Sequence, residues 1–177
     1  MPALERAGAS SLALPEIGLP LHRDGGELKV VRAFGADPER YGQFGLAGHN
    51  GLDFETAAGE AVLAVDDGEV MEVRWDAAGY GLTVKLAHVW GESRYAHGLR
   101  RSVALDFDLG HIARRGDRLF LAIAGHLHFA VRLRDTSRAL DYGNEGGFGG
   151  WTDPAPLLGL PLPSREPTAA ERRGRRG

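Results

Sequence analysis

Short apolar runs separated by glycine and proline make up most of this chain, and they predict β-strands rather than helices. Seven segments combine an apolar run or an apolar–polar alternation with turn residues at their ends. They cover residues 28–34, 61–65, 68–75, 81–88, 93–97, 119–124 and 125–131. Because no segment carries a helical repeat of convincing length, we expect an all-β fold with mainly antiparallel strands.

Turn residues mark two reversals between these strands. Asp66-Asp67-Gly68 predicts a hairpin between residues 61–65 and 68–75, because Asp-Gly favours a tight reversal. Two adjacent carboxylates also suit acid–base chemistry, but the turn interpretation is favoured. Gly79-Tyr80-Gly81 predicts the next reversal, before the strand at residues 81–88.

Two histidines stand two residues apart inside the apolar segment at residues 125–131. Side chains at i and i+2 of a strand point to the same face, so His126 and His128 project together. Leu127 and Phe129 project the other way, toward an expected core. On this pattern alone, the two histidines are either polar residues on the solvent face of an edge strand or part of a functional site.

Two further segments place a histidine where it could belong to a functional site. His49 and Asp53 are four residues apart, and a turn entering a strand can bring their side chains together. A surface histidine beside a turn-capping aspartate explains the same pattern. His97 alternates with Tyr95 and ends its strand before a glycine, where a side chain can reach into a cleft.

The remaining histidines are assigned no chemical role. His88 shares the apolar face of the strand at residues 81–88, so we interpret it as structural. His22 lies in an irregular, charged segment, and His111 follows a glycine in a connecting loop. Both are expected to be exposed.

The candidates for chemistry are therefore His49, Asp53, His97, His126 and His128. Two histidines and one carboxylate, with one coordination position open, form the ligand set of a catalytic zinc site, and a nearby histidine can act as base and acid. A non-haem iron site uses the same donor types, but its first histidine and carboxylate usually lie two residues apart rather than four. The chain has no Gly-x-Ser-x-Gly motif and no phosphate-binding glycine loop.

The composition excludes further kinds of site and of binding partner. The 177 residues include no cysteine, which excludes disulfides, thiolate catalysis and cysteine-ligated zinc. The formal net charge of −3 argues against nucleic-acid binding by the chain as a whole, and no apolar run is long enough for a transmembrane segment. Glu5, Arg6 and Pro15 interrupt the N-terminal region, so we recognise no signal peptide there.

The chain divides into one domain with irregular extensions at both ends. Residues 1–26 form an N-terminal extension that packs on the domain surface or is partly disordered, and residues 27–160 form the domain. Residues 161–177 form an arginine-rich tail that is expected to be disordered. Attachment of this tail to an anionic polymer is a sharper but less favoured hypothesis. We favour a monomer.

Three motifs in order resemble one known family. They are His49-x-x-x-Asp53, Tyr95-Ala96-His97 and His126-Leu127-His128. Together they resemble the signatures of the lysostaphin-like zinc metalloendopeptidases, bacterial cell-wall hydrolases with the duplicated-hybrid-motif (barrel-sandwich hybrid) fold. The resemblance spans about residues 28–158, and Phe34-Gly35, Gly79-Tyr80-Gly81 and Asp153-Pro154 also match the framing pattern of the family.

The resemblance implies a role for each candidate residue. One Zn²⁺ per chain would be held by His49, Asp53 and His128. His97 and His126 would activate the attacking water and stabilise the oxyanion. The implied substrate is a peptide bond of peptidoglycan, in the stem peptide or the cross-bridge. The alternative is a non-catalytic domain of the same fold that binds cell wall or a protein partner.

The resemblance also implies that Tyr80 lines the substrate groove. The family usually has a Gly/Thr/Ser-rich loop before His126 that forms one wall of the cleft, and this chain lacks it. We therefore expect a more open groove, unless the glycine-rich residues 143–150 fold over the same side and replace that wall. A cell-wall hydrolase must also reach the wall, so we expect export or release as a phage-associated protein.

Overall fold

Strands pair in antiparallel fashion throughout the described chain, which confirms the all-β expectation. The computed structural model describes residues 14–23, 27–77, 79–104, 108–134 and 147–161. The strands are β1 (Val30–Arg32), β2 (Leu52–Thr56), β3 (Ala61–Leu63), β4 (Gly68–Asp76), β5 (Gly81–His88), β6 (Gly91–Gly98), β7 (Ile112–Ala113), β8 (Arg118–Leu121) and β9 (Gly125–Leu133). A five-residue helix, α1 (Pro38–Gly42), lies in the long loop before His49, with a proline in its first turn where no backbone donor is lost.

The strands form a large and a small sheet that enclose the core. The large sheet has the order β1-β2-β9-β6-β5-β4-β7, and the small sheet pairs β3 with β8. Val62 and Phe120 of the small sheet and Leu127, Phe129 and Leu86 of the large sheet are buried completely in this core. Strand β9 lies inside the large sheet between β2 and β6, so His126 and His128 are not on an edge strand.

The predicted hairpin at Asp66-Asp67-Gly68 is wrong. Strand β3 pairs with β8, whereas β4 pairs with β5 and β7, so this turn carries the chain from one sheet to the other. Its two carboxylates bind distant groups: Asp66 accepts a hydrogen bond from the Trp90 indole, and Asp67 accepts one from the Arg115 backbone. The reversal at Gly79-Tyr80-Gly81 does join β4 to β5 as predicted.

A β-bulge in β6 reorients His97. Leu82 pairs with Gly98 and Val84 pairs with Tyr95, so the single residue between Leu82 and Val84 faces two residues of β6. His97 takes up the extra position with a φ of 66°, a left-handed conformation that non-glycine residues seldom adopt. Strict alternation would place His97 in the core beside Tyr95. The bulge instead turns it to the opposite face of the sheet.

The segments flanking the sheets also contribute to the core. Ile17 and Leu21 are buried, and Leu21 forms a β-bridge with Val62. At the other end, Thr152 forms a β-bridge with Val131 of β9. Residues 1–13 and 162–177, which include nearly all of the arginine-rich tail, lie outside the described residues. No helix in the described part of the chain is long and apolar enough to cross a membrane.

Candidate metal centre

Three buried side chains converge on one point of the large sheet. His49 Nε2 lies 3.0 Å from Asp53 Oδ1, His128 Nδ1 lies 3.0 Å from the same oxygen, and the two nitrogens are 2.9 Å apart. All three residues are at most 2% exposed. We call the sheet surface that carries Asp53 and His128 the site face, because the core packs on the other surface.

Strand register and one glycine bring these residues together. Asp53 of β2 is paired directly with His128 of β9, so their side chains emerge side by side. His49 lies three residues before β2, and the chain between them passes very close to β9. A Cβ atom at Gly51 would lie 2.5 Å from the Phe129 carbonyl oxygen and 2.8 Å from His128 Cε1, so only glycine fits there.

Two further groups orient the converging side chains. His49 Nδ1 lies 3.0 Å from the Ala33 carbonyl and donates to it, which directs the Nε2 lone pair toward Asp53. Arg32 Nη1 donates to Asp53 Oδ2 at 2.7 Å, which leaves Oδ1 for the two histidines. Arg32 Nε also binds Asp37 at 2.9 Å. Arg32 was not predicted as a site residue, although an arginine within the apolar segment at residues 28–34 was an available signal.

The cluster is arranged around an ionised carboxylate. Burial alone would raise the pKa of Asp53, but hydrogen bonds with His128 and His49 outweigh it and hold this pKa well below its ordinary value. Burial lowers the pKa of His128 in spite of the neighbouring Asp53. The site therefore presents one carboxylate oxygen and two imidazole nitrogens to the same point.

His97 and His126 form a more accessible pair beside this cluster. Their ring centroids are 4.4 Å apart, and His126 Nε2 lies 3.7 Å from Asp53 Oδ2. The His126 side chain is 35% exposed, against 2% for that of Asp53. Burial and the positive charge that His126 and His128 can carry lower the pKa of His97 to about 4. His97 is therefore neutral at pH 7 and can accept a proton.

Two tyrosines line the site. The ring centroid of Tyr80 lies 5.9 Å from that of His97 and 5.6 Å from that of His128, so Tyr80 borders the site, and its place in a substrate groove stays a prediction. Tyr41 of α1 packs on His49, with 5.3 Å between ring centroids. Tyr41 was not predicted as a site residue, because nothing in the local sequence marks it as a neighbour of His49.

The segment that borders one side of the site is very short. Strands β8 and β9 are joined by residues 122–124 alone, and these are held in place by hydrogen bonds to neighbouring segments. Ile123 N donates to the His97 carbonyl at 3.2 Å, and Thr56 Oγ1 donates to the Ile123 carbonyl at 2.9 Å. Such a connection cannot form a projecting wall.

The glycine-rich residues 143–150 are described only in part. Phe148 packs on Phe34 with 4.4 Å between ring centroids, and the Gly147 carbonyl accepts a hydrogen bond from Ala47. The described part thus packs on the loop before His49. Residues 143–146 lie outside the described residues, so a replacement wall stays a prediction.

The histidines that were assigned no role lie away from this cluster. His88 is buried and makes hydrogen bonds with the Asp67 carbonyl and the Ser93 hydroxyl, each at 2.7 Å, which is the setting of a structural residue. His22 is exposed, as expected, and His111 is partly exposed.

The donor set fits a zinc ion. His49, Asp53 and His128 offer ligand atoms within 4.8 Å of one another, and two imidazoles with one carboxylate are typical zinc ligands. Three lone-pair donors that point at one another would repel unless a proton or a cation lies between them. The Ala33 and Arg32 contacts are of the kind that orients metal ligands.

Comparisons with known proteins agree with this geometry. The model of peptidase family M23 matches residues 47–141, more than half of the chain. No curated protein is similar enough in sequence to count as a relative. A zinc-containing peptidase from Vibrio cholerae is 28% identical over 60% of this chain, with a TM-score of 0.50. The match covers 34% of that protein, so this chain spans about a third of its length.

Two other solved structures share the fold. The catalytic domain of lysostaphin from Staphylococcus simulans is 22% identical, with 75% of this chain and 92% of that domain covered and a TM-score of 0.54. Csd3 from Helicobacter pylori is 17% identical, with 92% and 41% covered and a TM-score of 0.57. The resemblance to lysostaphin-like enzymes and the expected zinc cofactor are confirmed. Because the family model covers the site as well as most of the sheet, this chain belongs to peptidase family M23.

Proposed function

We propose that this protein is a zinc-dependent endopeptidase that hydrolyses peptide bonds in bacterial peptidoglycan, in the stem peptide or the cross-bridge. The observation that carries the proposal is the convergence of His49 Nε2, Asp53 Oδ1 and His128 Nδ1 beside an accessible pair of histidines. We assign the first three residues as zinc ligands and His97 and His126 as the catalytic pair.

The chain's own residues supply the proton chemistry. When bound, zinc contributes Lewis-acid chemistry, which acidifies water and polarises a carbonyl group. His97 is neutral at pH 7 because its pKa is about 4, so it is free to take a proton from the attacking water. His126 lies within 4.4 Å of His97 by ring centroids and is partly exposed, so a ring N–H can donate to the oxyanion of the substrate.

The short connection beside the site supports a polymeric substrate. The connection between β8 and β9 is too short to close that side of the site, and Tyr80 offers an aromatic surface beside the histidines. The catalytic domain of lysostaphin, which is described as an antimicrobial peptidase, shares the fold. We propose that the protein acts on the cell wall, reached by export or as a phage-associated protein.

Clearing of purified peptidoglycan tests this proposal. The zinc-loaded protein should reduce the turbidity of the suspension, and His126→Ala should abolish the clearing while its zinc content stays the same. His22→Ala serves as a matched control, because His22 is an exposed histidine of a different segment. No clearing by a folded, zinc-loaded wild-type protein would contradict the proposal and favour a non-catalytic domain that binds cell wall or a protein partner.

A further inference from the structure

Arg94 of β6 lies on the site face close to the metal centre. It alternates with Ser93 and Tyr95, which are buried on the core face. Along β6, Arg94 pairs with Ala130 of β9, and the next residue on the same face pairs with His128. Arg94 therefore lies on the strand next to that of His128 and is displaced by two residues along it. The Cα atoms of such a diagonal pair are about 7–8 Å apart.

The other cations on this face are paired with carboxylates. Arg74 lies 3.2 Å from Glu72, and Lys85 and Arg132 lie 3.8 Å and 3.4 Å from Glu92. The first contact lies within β4, and the other two reach from Glu92 of β6 to the neighbouring strands β5 and β9. Each of these three cations has a carboxylate within 4 Å, although two of them share Glu92.

Arg94 has no such partner among the residues that the structure describes. Its guanidinium carbon lies 4.3 Å from the ring centroid of Trp151, a cation–π contact with a buried indole. A guanidinium stacked by its face keeps the N–H groups at its edge free for a planar, two-oxygen acceptor. The side chain is half-buried, so its charge is partly desolvated, and Glu72 stabilises that charge only at a distance, without a salt bridge.

Arg94 is also within electrostatic range of Tyr80, which lines the metal centre. Its position suits an anionic group of a molecule that lies across the site face.

We propose that Arg94 binds a carboxylate of the substrate and so selects peptides with a carboxylate within about two residues of the cleaved bond, since an extended peptide advances about 3.3 Å per residue. The inference rests on the proposed peptidase function, whose substrate it makes more specific. The carboxylate can be the C-terminus of a peptide or an acidic side chain, and the test separates these sources.

Two pairs of peptides test the subsite by calorimetric binding to the zinc-loaded protein at pH 7. The first pair is N-acetyl-D-alanyl-D-alanine and its C-terminal amide, which differ only in a terminal carboxylate. The second pair is N-acetyl-L-alanyl-D-glutamyl-D-alanine amide and its D-glutamine counterpart, which differ only in a side-chain carboxylate. The wild-type protein should prefer the carboxylate of at least one pair by about 10- to 100-fold, as expected for a charge-assisted hydrogen bond.

Arg94→Gln should reduce that preference to about twofold or less. Arg132→Gln is the matched control, because Arg132 also contacts Trp151, at 4.6 Å, but is already paired with Glu92. It should keep the preference. Thermal unfolding should show that both variants are folded, and Arg94→Lys, which keeps the charge, should recover part of the preference if the glutamine variant is unstable.

Two results would overturn the inference. A wild-type protein without preference in either pair has no carboxylate subsite. A preference that survives in Arg94→Gln belongs to the metal ion rather than to Arg94. Both readouts are binding constants, so they remain informative if peptidoglycan clearing fails, and clearing without carboxylate preference would overturn the subsite alone.

Discussion

Two buried histidines on opposite faces of the large sheet differ in how their ring nitrogens are satisfied. His88 on the core face bonds the Asp67 carbonyl through Nδ1 and the Ser93 hydroxyl through Nε2, each at 2.7 Å. His128 on the site face directs Nδ1 at Asp53 and His49, and its buried Nε2 has no hydrogen-bond partner among the described residues. The two rings are buried to nearly the same extent.

The difference shows that burial alone does not mark a functional histidine. A neutral His88 has one donor and one acceptor, and each meets a complementary group while the ring stacks on Trp90 at 4.4 Å. Around His128, by contrast, two imidazole nitrogens and a carboxylate oxygen meet at one point, and only a ring proton or a metal ion can lie between them. This convergence of three possible ligand atoms distinguishes the surroundings of His128 from those of His88.

Removing His128 should have the largest effect. We expect His128→Ala to lose its zinc almost completely, because two remaining ligands do not form a stable site, and to lose hydrolysis with it. Metal analysis after dialysis measures this directly. His88→Ala is the matched control and should retain one zinc ion per chain, whereas full zinc content in His128→Ala would refute the ligand assignment.

Removing His97 should separate metal binding from catalysis. We expect His97→Ala to keep its zinc and to lose about 10²- to 10⁴-fold in turnover, the usual contribution of a general base. Rates of peptidoglycan clearing at matched zinc content measure the effect. A fully active His97→Ala variant would show that catalysis does not need the His97 ring.

Removing Arg32 should weaken the zinc site without abolishing it. Arg32→Ala frees Asp53 Oδ2, and loss of such a supporting contact typically lowers metal affinity by about 10- to 100-fold. Competition with a zinc chelator measures the affinity. Arg23→Ala is a suitable control, since Arg23 pairs with Glu60 outside the site, and equal affinities in the two variants would contradict the role of Arg32.

Removing His88 should lower the stability of the fold without changing zinc binding. His88→Ala leaves the Asp67 carbonyl without this partner and the Ser93 hydroxyl with Tyr95 alone, which should lower the free energy of unfolding by about 1–3 kcal/mol. Zinc affinity should not change. Chemical denaturation of the zinc-free protein measures the stability, and a large loss of zinc affinity would show that the two clusters are coupled.

The smallest effect concerns acid sensitivity. Burial lowers the pKa of His88 below its unfolded value, so the unfolded chain binds this proton first and stability falls as pH decreases below about 6.5. In chelator, stability should decline less steeply with acid in His88→Asn than in the wild type, because the other histidines contribute equally to both proteins. Parallel pH profiles of the two proteins would show that the pKa of His88 is the same in the folded and the unfolded chain.

Local patterns predicted much of this arrangement. The i, i+2 spacing placed His126 and His128 on one face, and the glycines around His49 indicated a turn that enters a strand at Asp53. These features depend on neighbours within a few residues. The five candidate residues are close together in the structure, although their individual roles stay a proposal.

Contacts between distant segments account for what was missed. The turn at Asp66-Asp67-Gly68 has the composition of a hairpin, but its carboxylates bind groups such as the Trp90 indole that lie more than twenty residues away. Arg32 reaches Asp53 through pairing of β1 with β2, and a single sequence does not fix that register. Arg94 was missed for the same reason, because its relation to His128 depends on the pairing of β6 with β9.

The bulge in β6 reverses the alternation of inward and outward side chains partway along one strand. Because of this single extra residue, Tyr95 packs in the core while His97, two positions later, lies beside the proposed zinc ligands. No side-chain substitution can reproduce or cancel that shift. Deleting Ala96 would remove the bulge and move His97 to the position opposite His128 that Ala96 now occupies, so the reach of the imidazole depends on the spacing of this segment as well as on the identity of its residues.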